Sequence, residues 1–368
     1  MTDAHIAAIV KAIYEKVPFD LDIGVICGSG LSNLSAQIVN PIVIDYSELP
    51  NFPHSAVMGH KNELVIGQLG SKNVICLRGR FHFYEGWSPK DTVLGVKVMA
   101  ALGVKTIIVT NAAGGLDKSF KVGDVMVIED HISIVGMAGN NCLVGPNDDK
   151  LGPRFPSISS VYDSNLNQFF AQIHDEKKAE LNHDHELRKG CYVGLSGPNY
   201  ESRHEIAMLR VCGGSAVGMS TVNEVVQAAH CGLKVLGLTL ITNACLGTAA
   251  DEYDLPEPNH QEVVDEIKKV EPFVQSVVST FIDRVDIESY KSAPMAALYS
   301  RDAVKDVVVE AEPTQEVKAS CSACPFTRAA EKCCVLKIFA CPAIKTAIIS
   351  VAGGFLGAYL FDAMKKRN

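Results

Sequence analysis

Ile6, Ile9, Val10, Ile13 and Tyr14 recur at the three- and four-residue spacing of one helical face, and Pro18 stops the pattern. Beyond it the rhythm changes. Short apolar runs rich in β-branched residues, at 23–27, 64–69, 74–77, 106–110, 125–128, 192–195 and 235–242, alternate with helix-like stretches. That alternation predicts an α/β fold, a sheet with helices on both faces. The helices carry their own boundaries. Ser88 is placed to cap one, with Pro89 at its first position and Gly103 closing it. Residues 222–231 read as a second, stopped by Gly232, and Asn259 caps a long third whose Val263, Val264, Ile267, Val270, Val274, Val277 and Phe281 face the core.

Three of the apolar runs end in polar or glycine-rich turns: Cys27-Gly28-Ser29-Gly30-Leu31, residues 110–116 and Ile241-Thr242-Asn243. In open α/β sheets ligands bind beyond the carboxyl ends of the strands, so these turns are the expected walls of a site. Gly28-Ser29-Gly30 is too short for a dinucleotide or Walker-type loop and suits a bare orthophosphate better. Residues 80–86 read Arg-Phe-His-Phe-Tyr-Glu-Gly. In an extended segment Arg80, His82 and Tyr84 share one face, an anion site with an aromatic floor. The amide of Ala112 and the hydroxyl of Ser220 are placed to complete a cage.

Composition narrows the class. A chain of 368 residues with 47% hydrophobic content can bury a large core, and a net charge of −8 excludes nucleic-acid binding driven by the overall field. Of twelve cysteines, seven (Cys27, Cys76, Cys142, Cys191, Cys212, Cys231, Cys245) are scattered without paired spacing and read as reduced thiols. The first residues lack the basic-then-apolar signature of a secretory signal.

Taken in order, Gly28-Ser29-Gly30-Leu31, His60, residues 80–86, residues 110–116, Gly197-Pro198-Asn199-Tyr200-Glu201, Gly218-Met219-Ser220-Thr221, Leu240 to Asn243 and Asn259-His260 resemble the motif set of the trimeric purine nucleoside phosphorylases. The resemblance covers about 6–285. It implies a mixed central sheet flanked by helices, a homotrimer, and reversible phosphorolysis of purine ribo- and deoxyribonucleosides, with orthophosphate as co-substrate and no metal or organic cofactor. By the same resemblance Ser29, His60, Arg80, His82, Ala112 and Ser220 match the phosphate site. Tyr84, Tyr200, Met219 and His260 match the ribose site, and Glu201, Thr242 and Asn243 the purine site. Phe155 matches the aromatic lent by a neighbouring subunit, and Asn243, Glu201, His82 and Arg80 are the expected catalytic set. Asn243 and His260 favour 6-oxopurine nucleosides over 5′-methylthioadenosine, the rival substrate; a non-catalytic, membrane-tethered scaffold is the rival of another class. Ser32-Asn33, Asn223, Tyr200 and the segment 244–258 depart from the family pattern.

The chain divides by sequence into a phosphorylase-like domain (1–286), a linker of mixed charge (287–318) and a cysteine-rich C-terminal segment (319–368). Cys321, Cys324, Cys333, Cys334 and Cys341 suit acylation near a membrane better than zinc, since no histidine lies among them. Residues 346–364 form an apolar stretch that, at helical rise, covers about 28 Å, the hydrocarbon thickness of a bilayer. Gly353 and Gly357 add a close-packing pair. A tail anchor with the enzyme domain in the cytosol is the expectation, and a helix docked on the globular part is its alternative.

Overall fold

The computed structural model describes residues 3–28, 32–57, 60–250, 260–290 and 293–307, with the backbone alone at Asp3, Ser32 and 260–266. The cysteine-rich segment and the apolar stretch 346–364 lie outside the described residues, as do Ser29 and Asn259. Among the described residues no helix is long and apolar enough to cross a membrane.

Among the described residues nine strands form one mixed sheet: β1 (Ile23–Ile26), β2 (Val39–Asp45), β3 (Glu63–Leu69), β4 (Lys72–Arg78), β5 (Thr106–Gly115), β6 (Val125–Ser133), β7 (Leu187–Gly194), β8 (Ala216–Gly218) and β9 (Lys234–Ala244). Their order is β2-β3-β4-β1-β5-β8-β7-β6-β9, and β9 also pairs with β5, so half of the sheet closes on itself. The helices are α1 (Asp3–Tyr14), α2 (Leu94–Ala101), α3 (Ser164–Leu181), α4 (Arg203–Val211), α5 (Val222–His230), α6 (His260–Arg284) and α7 (Arg301–Val304).

Strand alternation decides which helices meet which face. Ile107 and Val109 of β5 pack with Ile9, Ile13, Val98, Met99 and Val225 of α1, α2 and α5, whereas Ile108 between them packs with Phe170, Val274 and Phe281 of α3 and α6. The expected α/β layering is present. Of the seven core positions assigned to the long C-terminal helix, Ile267, Val270, Val274, Val277 and Phe281 are buried, and Val263 and Val264 fall where side chains are not described.

Three local expectations change. Ser88 and Asp91 do exchange hydrogen bonds, with Ser88 Oγ donating to Asp91 at 2.6 Å, but they close a turn, and the regular helix begins only at Leu94. The edge strand β2, not assigned from the sequence, has its apolar run cut to Ile42-Val43-Ile44 by Asn40 and Pro41 and is solvated on one face, with Val39 and Val43 both half exposed. The stretch expected to be a linker from 287 packs on the core as far as Val307: Ala293, Met295, Tyr299 and Val304 are buried there. Arg301 also donates to the carbonyls of Val17 and Phe19 at 2.8 and 2.7 Å.

β5 positions the site. Along one edge it pairs with β1 through Val109, then with β8 only from Gly114. Residues 110–113 face the opening between, while β9 runs along the other edge with a register shift between Ala113 and Gly114. That shift sets Gly114 opposite Asn243 and makes Thr242 the extra residue of a bulge, a device that re-aims side chains beside sites.

Candidate active site

The opening is lined first by Thr110, whose hydroxyl accepts from Gly28 N–H at 3.0 Å and donates to Ile26 O at 2.9 Å. A Cβ on Gly28 would lie 2.2 Å from Thr110 O and 2.9 Å from Arg80 Nη1, so only glycine lets the loop approach this closely. Arg80 lies beneath it, 2% exposed. Its Nε and Nη2 donate to Glu224 at 3.2 and 2.9 Å, and its Nη1 to Thr110 O at 2.8 Å and Ser220 Oγ at 3.1 Å. The guanidinium therefore reaches the cage through Nη1 and Ser220, its other edge being held by the carboxylate.

Sequence reasoning missed Glu224. Nothing in the spacing joins positions 144 residues apart, yet a carboxylate inside the apolar helix 222–230 was a signal, because a buried guanidinium requires a counter-ion. Beside it Thr221 adopts φ +72°, a strained conformation for a β-branched residue. Asn111 Nδ2 donates to its hydroxyl at 2.9 Å, which holds it there and sets Ser220 at the mouth of α5.

Residues 80–86 are not a strand. β4 ends at Arg78, and Phe83–Glu85 form a 3-10 turn closed by Gly86 at φ +91°. His82 and Tyr84 still share a face, since the turn stacks their rings at 4.7 Å with His60 on the far side of His82 at 5.4 Å. Glu85 organises this stack. Its carboxylate accepts from Ala56 N–H at 2.7 Å, His82 N–H at 2.9 Å, His82 Nδ1 at 3.1 Å and Ser55 Oγ at 3.0 Å. Burial alone would raise its pKa, and the hydrogen bonds from His82, Ala56 and Ser55 outweigh burial and take it down to about 2.

The same network fixes the tautomer of His60. Because the Ser55 hydroxyl donates to Glu85, the 2.8 Å contact between Ser55 Oγ and His60 Nδ1 has the ring donating. Nε2 is then a bare lone pair, and it is buried with no partner among the described residues. Burial, helped by the His82 and Arg80 charges, lowers the His60 pKa to about 4. Burial likewise lowers that of His82, against the pull of Glu85.

These shifts have a definite sign. The unfolded chain protonates His60 near 6.5 and the folded one near 4, so acidification across that window favours unfolding. Glu85 acts in the same sense over a lower window: its depressed pKa contributes stability above about 4.5, lost as pH falls toward 2. Replacing His60→Gln should therefore flatten the decline of the urea-unfolding midpoint between pH 6.5 and 4. Parallel curves for the variant and the parent would contradict the assignment.

Beyond the opening, Tyr200, Glu201, Arg203, Ile206, Asn243 and Cys245 line a cavity of about 270 Å³. Burial raises the pKa of Glu201. Thr242, 4% exposed, has its hydroxyl 3.2 Å from Asn243 Oδ1 and 3.3 Å from Ala113 O. Asn243 itself lines the cavity. Between cage and cavity, Gly197 sits so close to Met219 and Tyr84 that a Cβ would be 2.3 Å from the Met219 sulfur and 3.2 Å from the Tyr84 ring. Ala112 lies on the 110–113 edge of β5. Phe155 stands apart, 87% exposed, with the Arg154 guanidinium 5.6 Å from its ring. The backbone of His260 opens α6, and its side chain is not described.

A mixed α/β sheet that splits beside Gly28, Arg80 and Ser220, with a cavity faced by Glu201 and Asn243 next to the opening, defines the class by its architecture. Comparison with known proteins agrees. Residues 22–283 match the model of the phosphorylase superfamily, and the chain belongs to that family. It is 42% identical over 281 residues to the purine nucleoside phosphorylase of Mus musculus, spanning 75% of this chain and 93% of that protein. With purine nucleoside phosphorylase 1 of Geobacillus stearothermophilus it shares 44% over 283 residues, 76% of this chain and 98% of that one. The crystal structure of Schistosoma mansoni purine nucleoside phosphorylase in complex with inosine superposes with a TM-score of 0.72 at 38% identity, covering 77% of this chain and 98% of the other.

Proposed function

We propose that the protein catalyses reversible phosphorolysis of purine nucleosides, with 6-oxopurines preferred, giving free base and (deoxy)ribose 1-phosphate. The observation that carries this is the pairing, at the ends of β5 and β9, of a cage built on Gly28, Arg80 and Ser220 with a cavity faced by Glu201 and Asn243. Solved schistosome relatives include complexes with inosine, guanosine and hypoxanthine, and one with adenosine, which supports purine nucleosides as the substrate class here.

Phosphate is the co-substrate, held by Ser29, Arg80 Nη1, His60, His82, the Ala112 amide and Ser220. His60 offers an acceptor for a protonated phosphate oxygen, and the incoming anion draws the His82 pKa back up. Cleavage builds positive charge on the ribosyl carbon and negative charge on the purine. Phosphate beneath the sugar stabilises the first, and Asn243 Nδ2, hydrogen-bonded to the base, the second. Tyr84, Tyr200, Met219 and His260 flank the ribose; Glu201, as carboxylate, accepts from N1–H. In this reading Phe155 reaches a neighbouring copy in a homotrimer, which accounts for its exposure on one protomer.

The test is hypoxanthine release from inosine by the purified full chain, with and without phosphate. No phosphate-dependent release would sink the reading. For location, we infer from the sequence of 346–364 that the chain is tail-anchored with this domain in the cytosol. Carbonate extraction of expressing cells should leave it in the membrane pellet, and release to the supernatant would end that inference.

A further inference from the structure

Arg203 and Arg210 stand seven residues apart on α4, two turns along one helical face. Both reach the chain that leaves β9. Arg210 Nη2 donates to Cys245 O at 2.8 Å while its Nε donates to Leu116 O at 2.7 Å. One guanidinium thus ties the residue after β9 to the residue after β5. Arg203 Nη1 donates to Gly247 O at 3.1 Å, two residues further along.

What these bonds hold is the wall of the cavity, since Cys245 and Leu246 line it together with Asn243. Cys245 N–H also donates to Gly115 O at 2.9 Å, and Gly114 packs so tightly beneath that a Cβ would lie 2.5 Å from Cys245 Sγ and 3.2 Å from Asn243 Nδ2. Movement of Cys245 therefore moves Asn243. The same helix carries the opposite wall. Glu201 directly precedes the N-cap Ser202, whose N–H donates to Glu205 at 2.7 Å and whose hydroxyl accepts from Glu205 N–H at 3.4 Å, a reciprocal cap that fixes where the helix starts.

We propose that Arg210, seconded by Arg203, is a positioning residue that sets the distance between Glu201 and Asn243, making α4 a strut across the purine pocket. The proposal rests on reading the cavity as the purine pocket. The chemistry asks for arginine: a planar group with several fixed donors can bridge two carbonyls on different loops, whereas a lysine offers a mobile point charge that satisfies one at a time. Arg210 acts through the backbone to which Asn243 belongs, whereas Arg203 lines the cavity as well.

The experiment compares the parent with Arg210→Gln, Arg210→Lys and Arg203→Ala, measuring KM for inosine, KM for phosphate and kcat, and the thermal shifts given by hypoxanthine and by phosphate. Arg210→Gln should raise the KM for inosine about tenfold and shrink the hypoxanthine shift, with the KM and shift for phosphate within about twofold. Arg210→Lys should fall between Gln and the parent, and Arg203→Ala should show the same split more weakly. A general loss of packing would move both ligands together, and the two shifts are read in the same folded population. Equal effects on inosine and phosphate, or none on either, would overturn the proposal. Failure of the parent itself to bind hypoxanthine would instead strike the purine reading, and is seen before any variant is made.

Discussion

Replacing Glu224→Ala is expected to lower the unfolding free energy by about 3–5 kcal/mol, the cost of leaving a buried guanidinium without its counter-ion. Arg80 and Glu224 are 2% and 5% exposed and joined by two hydrogen bonds, so water can replace little of what is lost. Activity should fall further than stability explains. Glu224 holds the Nε edge of Arg80, and without it the guanidinium can rotate away from Ser220 and the opening. Urea unfolding gives the first quantity, and KM for phosphate on the folded fraction gives the second. The double variant Arg80→Met/Glu224→Leu should recover much of the stability, as apolar replacement of buried ion pairs often does, yet stay inactive. A Glu224→Ala midpoint no lower than that of a substitution at exposed Glu288 would show that Arg80 is neutralised in some other way.

Asn243→Ala is expected to reduce kcat/KM for inosine by about a hundred- to a thousandfold, the range seen when a single preorganised donor to developing negative charge is removed. The fall should reside mainly in kcat. Asn243 lies on β9, whereas the cage is built on the segments after β1 and β4, on β5 and on the residues before α5, so KM for phosphate should change little. Asn243→Asp replaces a donor with an acceptor and should shift preference from the 6-oxo toward the 6-amino base. Glu201 adds a pH signature. Its pKa, raised by burial, should carry the acidic limb of kcat/KM for inosine upward with it, because the ionised form accepts from N1–H more strongly than the acid does. Retention of full activity by Asn243→Ala would remove the base-stabilising role from the proposed mechanism.

Much of this was legible in the chain. The strands between 23 and 242 announced themselves because two-sided burial writes continuous apolar runs, and the polar segments at 110–116 and 241–243 marked the site, although the structure keeps 110–115 and 241–243 within β5 and β9 where the sequence suggested turns. β2 escaped because Asn40 and Pro41 cut the apolar run of a solvated edge strand to three residues, and β8 because three residues are too few to show a period. Within the site, pairings across distant elements were invisible: Arg80 with Glu224, Asn111 with Thr221, Arg210 with the carbonyls of Leu116 and Cys245. Burial of a charge makes such a partner obligatory without naming it. The 80–86 segment shows the opposite case. Its side chains were grouped correctly for the wrong reason, since a 3-10 turn anchored by Glu85 stacks the rings that a strand would have aligned.

The handover on β5, from β1 at Val109 to β8 at Gly114, makes that strand a ruler. Thr110, bonded to Gly28 and Arg80, and Gly114, level with Asn243, are four residues apart, about 13 Å of extended chain. Both reactants are measured against one rigid element. Loop drift cannot change that interval; only an insertion or deletion in β5 can, and it would flip the strand's faces as it did so. The enzyme is thus able to vary its chemistry of base recognition at β9 and α4 while the span between anion and base stays constant, so new substrates should be gained by changing the shape of the ring or its substituents and lost whenever the distance across the sugar changes.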